Sequence, residues 1–112
     1  MRKLIVSVVV AGLLGPAVAP AAAATKRVKV GDNYFVRASG VPTVTVSKGT
    51  RVRWAWEGKS LHNVKVTKGP AKFGSPSKTY GSFAKKVTQA GRYTIVCTVH
   101  GASDQSMKLV VR

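Results

Sequence analysis

YTIVCTVHGASDQSMKLVVR, residues 93–112, is the stretch on which the reading of this chain turns. It holds the only cysteine, Cys97, and one of the two histidines, His100. It reads as a strand, a short loop and a second strand. Tyr93, Ile95 and Cys97 share one strand face, so the thiol points inward at the strand's end. His100 follows where the chain turns. A thiol and an imidazole this close at a strand end suit two ligands of one metal ion, with His62 as the third. The duller alternatives are an inert buried thiol, since free cysteine behaves as a small apolar residue, and histidines that merely sit in the core or on the surface.

Working outward, the same period of two recurs. Thr43 to Ser47 alternates with Val44 and Val46 on one face, and Arg51 to Glu57 with Val52, Trp54 and Trp56 inward. This is the signature of half-buried strands. Lys26–Val30, Tyr34–Val36, Leu61–Thr67, Ser82–Thr88, Arg92–Thr98 and Met107–Val111 complete the set, with His62 at the start of its strand. Gly31-Asp32-Asn33 is turn chemistry. Lys85 falls on the apolar parity of Phe83 and Val87, which a bulge or an edge position would resolve. Residues 68–81 have no clear period and should be a surface loop crossing between sheets. Seven or eight short strands without helical periodicity after residue 25 indicate an all-β antiparallel sandwich. The i, i+2 spacing of Trp54 and Trp56 places both in the core rather than on a base-stacking surface.

Residues 1–24 have the layout of a secretory signal: Met1-Arg2-Lys3, an apolar run from Leu4 to Leu14, then small residues ending Ala22-Ala23-Ala24. The apolar middle, about 11 residues, falls short of the ~20 needed to span a bilayer as a helix. Export, with cleavage near Ala24, leaves residues 25–112 as one domain with a small core. That domain carries 17 basic residues against Asp32, Glu57 and Asp104, a net charge of +14. The balance bears on partners rather than on fold. It favours an acidic partner protein, or an anionic cell-surface polymer or lipid. Nucleic acid is disfavoured, because none of the usual binding motifs is present. A single cysteine rules out the internal disulfides with which small exported domains often reinforce a thin core.

A sandwich gathers strand ends at one pole, where His62, Cys97 and His100 can converge. Two imidazoles and a thiolate in trigonal array, with a weak fourth ligand, suit copper in an electron-transfer site. The order of the motifs adds to this. His62-Asn63 opens a strand in SLHNVKV, Gly91-Arg92-Tyr93 leads into a strand ending Cys97-Thr98-Val99-His100, and VTVSKGTRVRW lies upstream. On these residues the sequence resembles the cupredoxins, small blue (type 1) copper proteins of the plastocyanin type, over essentially all of residues 25–112. The resemblance implies a Greek-key β-sandwich holding one Cu(I)/Cu(II) ion. It also implies that Asn63 ties the two ligand loops together, beside the plainer reading that Asn63 caps a turn.

The fourth ligand departs from the family's pattern, Cys-x2-His-x4-Met. Gln105 stands where the methionine is implied, and Met107 lies one rung deeper, roughly 6.5 Å along an extended strand. Gln105, whose carbonyl can serve as an axial donor, is the first candidate. Met107, or a three-coordinate site helped by backbone, are the alternatives. The expected function is a monomeric one-electron carrier and not an enzyme, since the chain has no further histidines for a catalytic copper. A copper trafficking, storage or sensing module and a metal-free basic sandwich are the rival readings.

Overall fold

The alternating stretches become strands. In the computed structural model, which describes residues 24–112, every regular element is a strand. They are β1 (Thr25–Gly31), β2 (Tyr34–Phe35), β3 (Thr43–Val46), β4 (Arg51–Trp56), β5 (Lys65–Lys68), β6 (Ser82–Lys86), β7 (Gly91–Val96) and β8 (Ser106–Val111). Two four-stranded sheets pack face to face, in the orders β2-β1-β4-β6 and β3-β8-β7-β5. The expected all-β sandwich is present. The leader proposed for residues 1–24 lies, apart from Ala24, outside the described residues.

The sheets are mixed rather than purely antiparallel. β1 runs parallel to β4, and β3 parallel to β8. The cause is the path of the chain, which leaves the first sheet after β2 and crosses between sheets on each connection up to β7. A strand that returns after a crossing can lie parallel to its neighbour, whereas a tight hairpin forces antiparallel pairing. β6 is an edge strand, and this resolves Lys85. Its side chain stays exposed, with the ammonium 5.8 Å from the centre of the Phe73 ring.

Several strands are shorter than their sequence pattern, and two of them for a visible reason. β2 stops at Phe35 because Val36 takes a left-handed conformation, φ 68°, and Arg37 N–H donates back to the Phe35 carbonyl at 2.7 Å. That tight turn is uncommon for a β-branched residue. β5 begins at Lys65 and not at Leu61. Upstream of it, the crossing loop folds back and supplies the backbone partners. His62 and Lys78 exchange N–H···O bonds of 3.0 Å each, Ser75 N–H reaches the Val64 carbonyl at 2.8 Å, and Val66 N–H reaches Phe73 at 3.0 Å. His62 is thereby fixed by a loop instead of by a sheet ladder.

The core forms from the inward faces of both sheets, Val28, Val30, Val52 and Trp54 on one side and Tyr93, Ile95, Met107 and Leu109 on the other. Tyr93 anchors the turn into β7 by donating its hydroxyl to the Gln89 carbonyl at 2.7 Å. Trp54 is fully buried and packs against Phe73 and Phe83, with ring centres 5.9 and 5.8 Å away. Trp54→Ala should therefore destabilise the domain by about 3–5 kcal/mol, the cost of a large core truncation, read from the midpoint of chemical denaturation.

One pole of this sandwich collects the groups of interest. β7 ends where its antiparallel partners β5 and β8 begin. The connections after β1, β4 and β7 meet there, as the contacts of Asp32, His62 and Gln105 with one another show.

Candidate metal centre

Cys97 is the first residue beyond β7 and is fully buried. Its amide donates to the Gln105 carbonyl at 3.0 Å, so the two residues face each other across the mouth of the β7–β8 hairpin. The loop between them is held from within. The Cys97 carbonyl accepts from Gly101 N–H at 2.9 Å, and the Gly101 carbonyl from Gln105 N–H at 3.0 Å. Gly101 has φ 89°, a conformation that glycine adopts without steric cost. That turn brings His100 back over Cys97.

The structure brings His62, Cys97 and His100 together, with one potential ligand atom from each lying within 4.8 Å of the others. Cys97 Sγ is 3.9 Å from His62 Nδ1 and 3.5 Å from His100 Nδ1. Bonds of about 2.0 Å to imidazole nitrogen and about 2.3 Å to thiolate sulfur are usual for a first-row ion such as zinc. At trigonal angles they would separate nitrogen from sulfur by about 3.7 Å. The two observed distances bracket that value. His62 and Cys97 are wholly buried, whereas His100 is half-buried.

Gln105 joins this cluster and Met107 does not. Gln105 is 1% exposed, with its side-chain amide nitrogen donating to the carbonyls of Gly31 at 3.0 Å and Tyr34 at 2.9 Å. Those two bonds turn Oε1 the other way, to 2.9 Å from His62 Nδ1. Met107 lies across from Ile95, one rung further into the core, where it is fully buried. On its far side, His62 Nε2 meets Asp32 Oδ1 at 2.8 Å. A carboxylate can only accept, so the ring proton belongs on Nε2. The lone pair of Nδ1 then faces the lone pairs of Gln105 Oε1, with sulfur alongside. Nδ1 and Oε1 thus converge with no ring proton between them, as two ligands of one cation do.

No family model and no curated protein matches the chain. Solved structures do. A methionine-to-glutamine variant of amicyanin in the Cu(I) state is 25% identical, with 79% of this chain and 82% of that chain covered and a TM-score of 0.65. An oxidized proline-to-glycine variant is 26% identical, with 80% and 90% covered and a TM-score of 0.64. The Cu(I) form of a methionine-to-alanine variant is 25% identical, with 82% and 86% covered and a TM-score of 0.66. Amicyanin is a small blue copper cupredoxin.

This chain has the cupredoxin fold.

In a cupredoxin-fold domain, a His-Cys-His cluster supports one copper ion. The donor set fits it, with soft thiolate for Cu(I) and imidazole for Cu(II). Asn63 spans the two loops that bear the cluster: its Nδ2 donates to Thr98 Oγ1 at 2.8 Å, and its Oδ1 accepts from Thr98 N–H at 2.8 Å. Asn63→Ala should cost about 1–3 kcal/mol for two hydrogen bonds, and loosen copper about 10–100-fold. Denaturation of the metal-free protein and a copper-chelator competition check the two figures separately.

Asp32 escaped the reading of the sequence, where Gly31-Asp32-Asn33 registers only as a turn. Hydrogen bonds from His62 above all, then from Ser60 and Lys59, hold its carboxyl well below the usual carboxylate range. One signal was available. Asp32 is one of only three acidic residues in a strongly basic chain, and it lies in the tip of a hairpin.

Proposed function

We propose that this chain is an exported one-electron carrier with a single type 1 copper. In this reading His62 Nδ1, Cys97 Sγ and His100 Nδ1 are the three strong ligands, and Gln105 Oε1 is the weak axial one. The observation that carries it is the convergence of these atoms at one pole, with Gln105 already turned toward the cluster by Gly31 and Tyr34. Copper, when bound, supplies a Cu(I)/Cu(II) couple. The protein's part is to hold the donors still and to exclude water. Cys97, His62 and Gln105 are all buried, and hydrogen bonds fix each surrounding loop. A rigid donor set between the preferences of the two oxidation states keeps rearrangement small.

His100 is the cluster residue that reaches the surface, next to exposed Val99. Its ring edge is the contact for a redox partner. Basic residues on the outer face of the first sheet, Arg27, Lys29, Arg51, Arg53 and Lys86, face a single acid, Glu57, which pairs with Arg27 at 2.9 Å. The surplus of positive charge favours an acidic partner by long-range steering. Export rests on the leader-like residues 1–24.

Voltammetry of the copper-loaded protein tests the carrier reading. A reversible one-electron couple supports it. Tight copper binding without such a couple would point to trafficking or storage.

A further inference from the structure

The β1–β2 hairpin contains none of the four proposed ligands, yet it touches two of them. The carbonyls of Gly31 and Tyr34 take the Gln105 amide, and between them Asp32 takes the Nε2 proton of His62. Asp32 is itself clamped. Its Oδ1 accepts from Ser60 N–H at 3.0 Å, Ser60 Oγ at 2.8 Å and Lys59 N–H at 3.0 Å, and Lys59 N–H also lies 3.1 Å from Oδ2. Gly58 leaves room for this. A Cβ at that position would collide with the Asp32 carboxylate. The loop from Gly58 to Ser60 is thus shaped around one carboxylate, and that carboxylate is aimed at the buried face of one imidazole.

We propose that Asp32 is a positioning residue for the copper site, which holds His62 with Nδ1 free to ligate and biases the ion toward Cu(II). The proposal rests on the copper reading above. Two physical effects carry it. An acceptor on Nε2–H selects the tautomer whose Nδ1 is unprotonated, and it raises the basicity of the ligating nitrogen. A negative charge one imidazole away from the ion also stabilises the more highly charged oxidation state by Coulomb attraction. The Asp32 side chain is partly open to solvent, so the second effect is screened but not abolished.

Three variants of the full chain test it. Asp32→Asn keeps an acceptor for His62 and for the Lys59 and Ser60 amides while removing the charge. Asp32→Ala, made together with Ser60→Ala because Ser60 Oγ also lies 3.1 Å from His62 Nε2, removes both. Glu57→Gln changes the net charge equally on the outer face of the sheet. The expected result is that Asp32→Asn lowers the ratio of Cu(II) to Cu(I) affinity at least tenfold, seen as a rise in potential of about 59 mV or more for a one-electron couple. Glu57→Gln should leave the ratio within about twofold, as expected for a screened surface charge. In the metal-free protein, nitrogen-15 NMR should place the His62 proton on Nε2, and the double variant should redistribute it between the two nitrogens. Equal shifts in Asp32→Asn and Glu57→Gln, or a tautomer unchanged in the double variant, would overturn the proposal while leaving the copper reading intact. Failure of the unaltered chain to bind copper would overturn both.

Discussion

Cys97→Ser is expected to abolish the blue colour of the copper-loaded protein and to weaken Cu(II) binding by more than about 100-fold. That factor is the upper range for losing a residue that only orients a ligand, and a ligand should cost more. The thiolate is the one soft, anionic donor in the cluster, and its charge-transfer band is the source of the colour. A serine hydroxyl stays protonated near neutral pH and offers only a weak neutral oxygen. The fold should survive. Cys97 is fully buried among Ile95, Met107 and the histidines, so a hydroxyl there costs about 1–3 kcal/mol. Circular dichroism of the metal-free variant and visible absorption after copper addition check the two halves. A variant that folds and keeps the colour would mean that Cys97 is only a core residue.

Gln105→Met is expected to raise the reduction potential, and Met107→Leu to leave it in place. An amide oxygen is a hard donor that favours Cu(II), whereas a thioether is soft and favours Cu(I). Exchanging one for the other should change the relative affinity of the two oxidation states by more than tenfold, a rise beyond about 59 mV. The exchange also leaves the Gly31 and Tyr34 carbonyls without their amide donor, at a cost of about 1–3 kcal/mol in stability. Met107 packs opposite Ile95 in β8, and replacing it by leucine nearly conserves volume, a change that usually costs less than about 1.5 kcal/mol. Voltammetry of both variants compares the two residues directly. A shift in Met107→Leu with none in Gln105→Met would reverse the assignment.

How far the sequence could be read depended on what each feature rests upon. Strands such as Thr43–Val46 and Arg51–Trp56 were legible because their alternation records which side chains are buried, and burial organises the sandwich. The parallel pairings were not, because alternation carries no information about the direction of a neighbour. Ala55 alternates outward yet is buried, since a small residue near a strand end can be covered by its surroundings. The convergence of His62, Cys97 and His100 was accessible from parity at strand ends, together with the scarcity of both residue types. The position of Gln105 came only from the resemblance, as the place where the family's spacing implies a methionine. The late start of β5 was hidden, because it depends on an aperiodic loop folding back along His62–Val66. Asp32 was hidden for a related reason. Its partner lies 30 residues away, and only the closing of the pole brings the hairpin tip to the imidazole.

In the proposed site one copper ion is held by His62, Cys97 and His100, with Gln105 in the axial position. The most direct test is a titration of the purified, metal-free chain with Cu(II), followed by visible absorption. An intense thiolate-to-copper band should grow linearly and stop at one equivalent of copper per chain. A titration in which no such band develops, or in which it fails to saturate at one equivalent, would contradict the assignment.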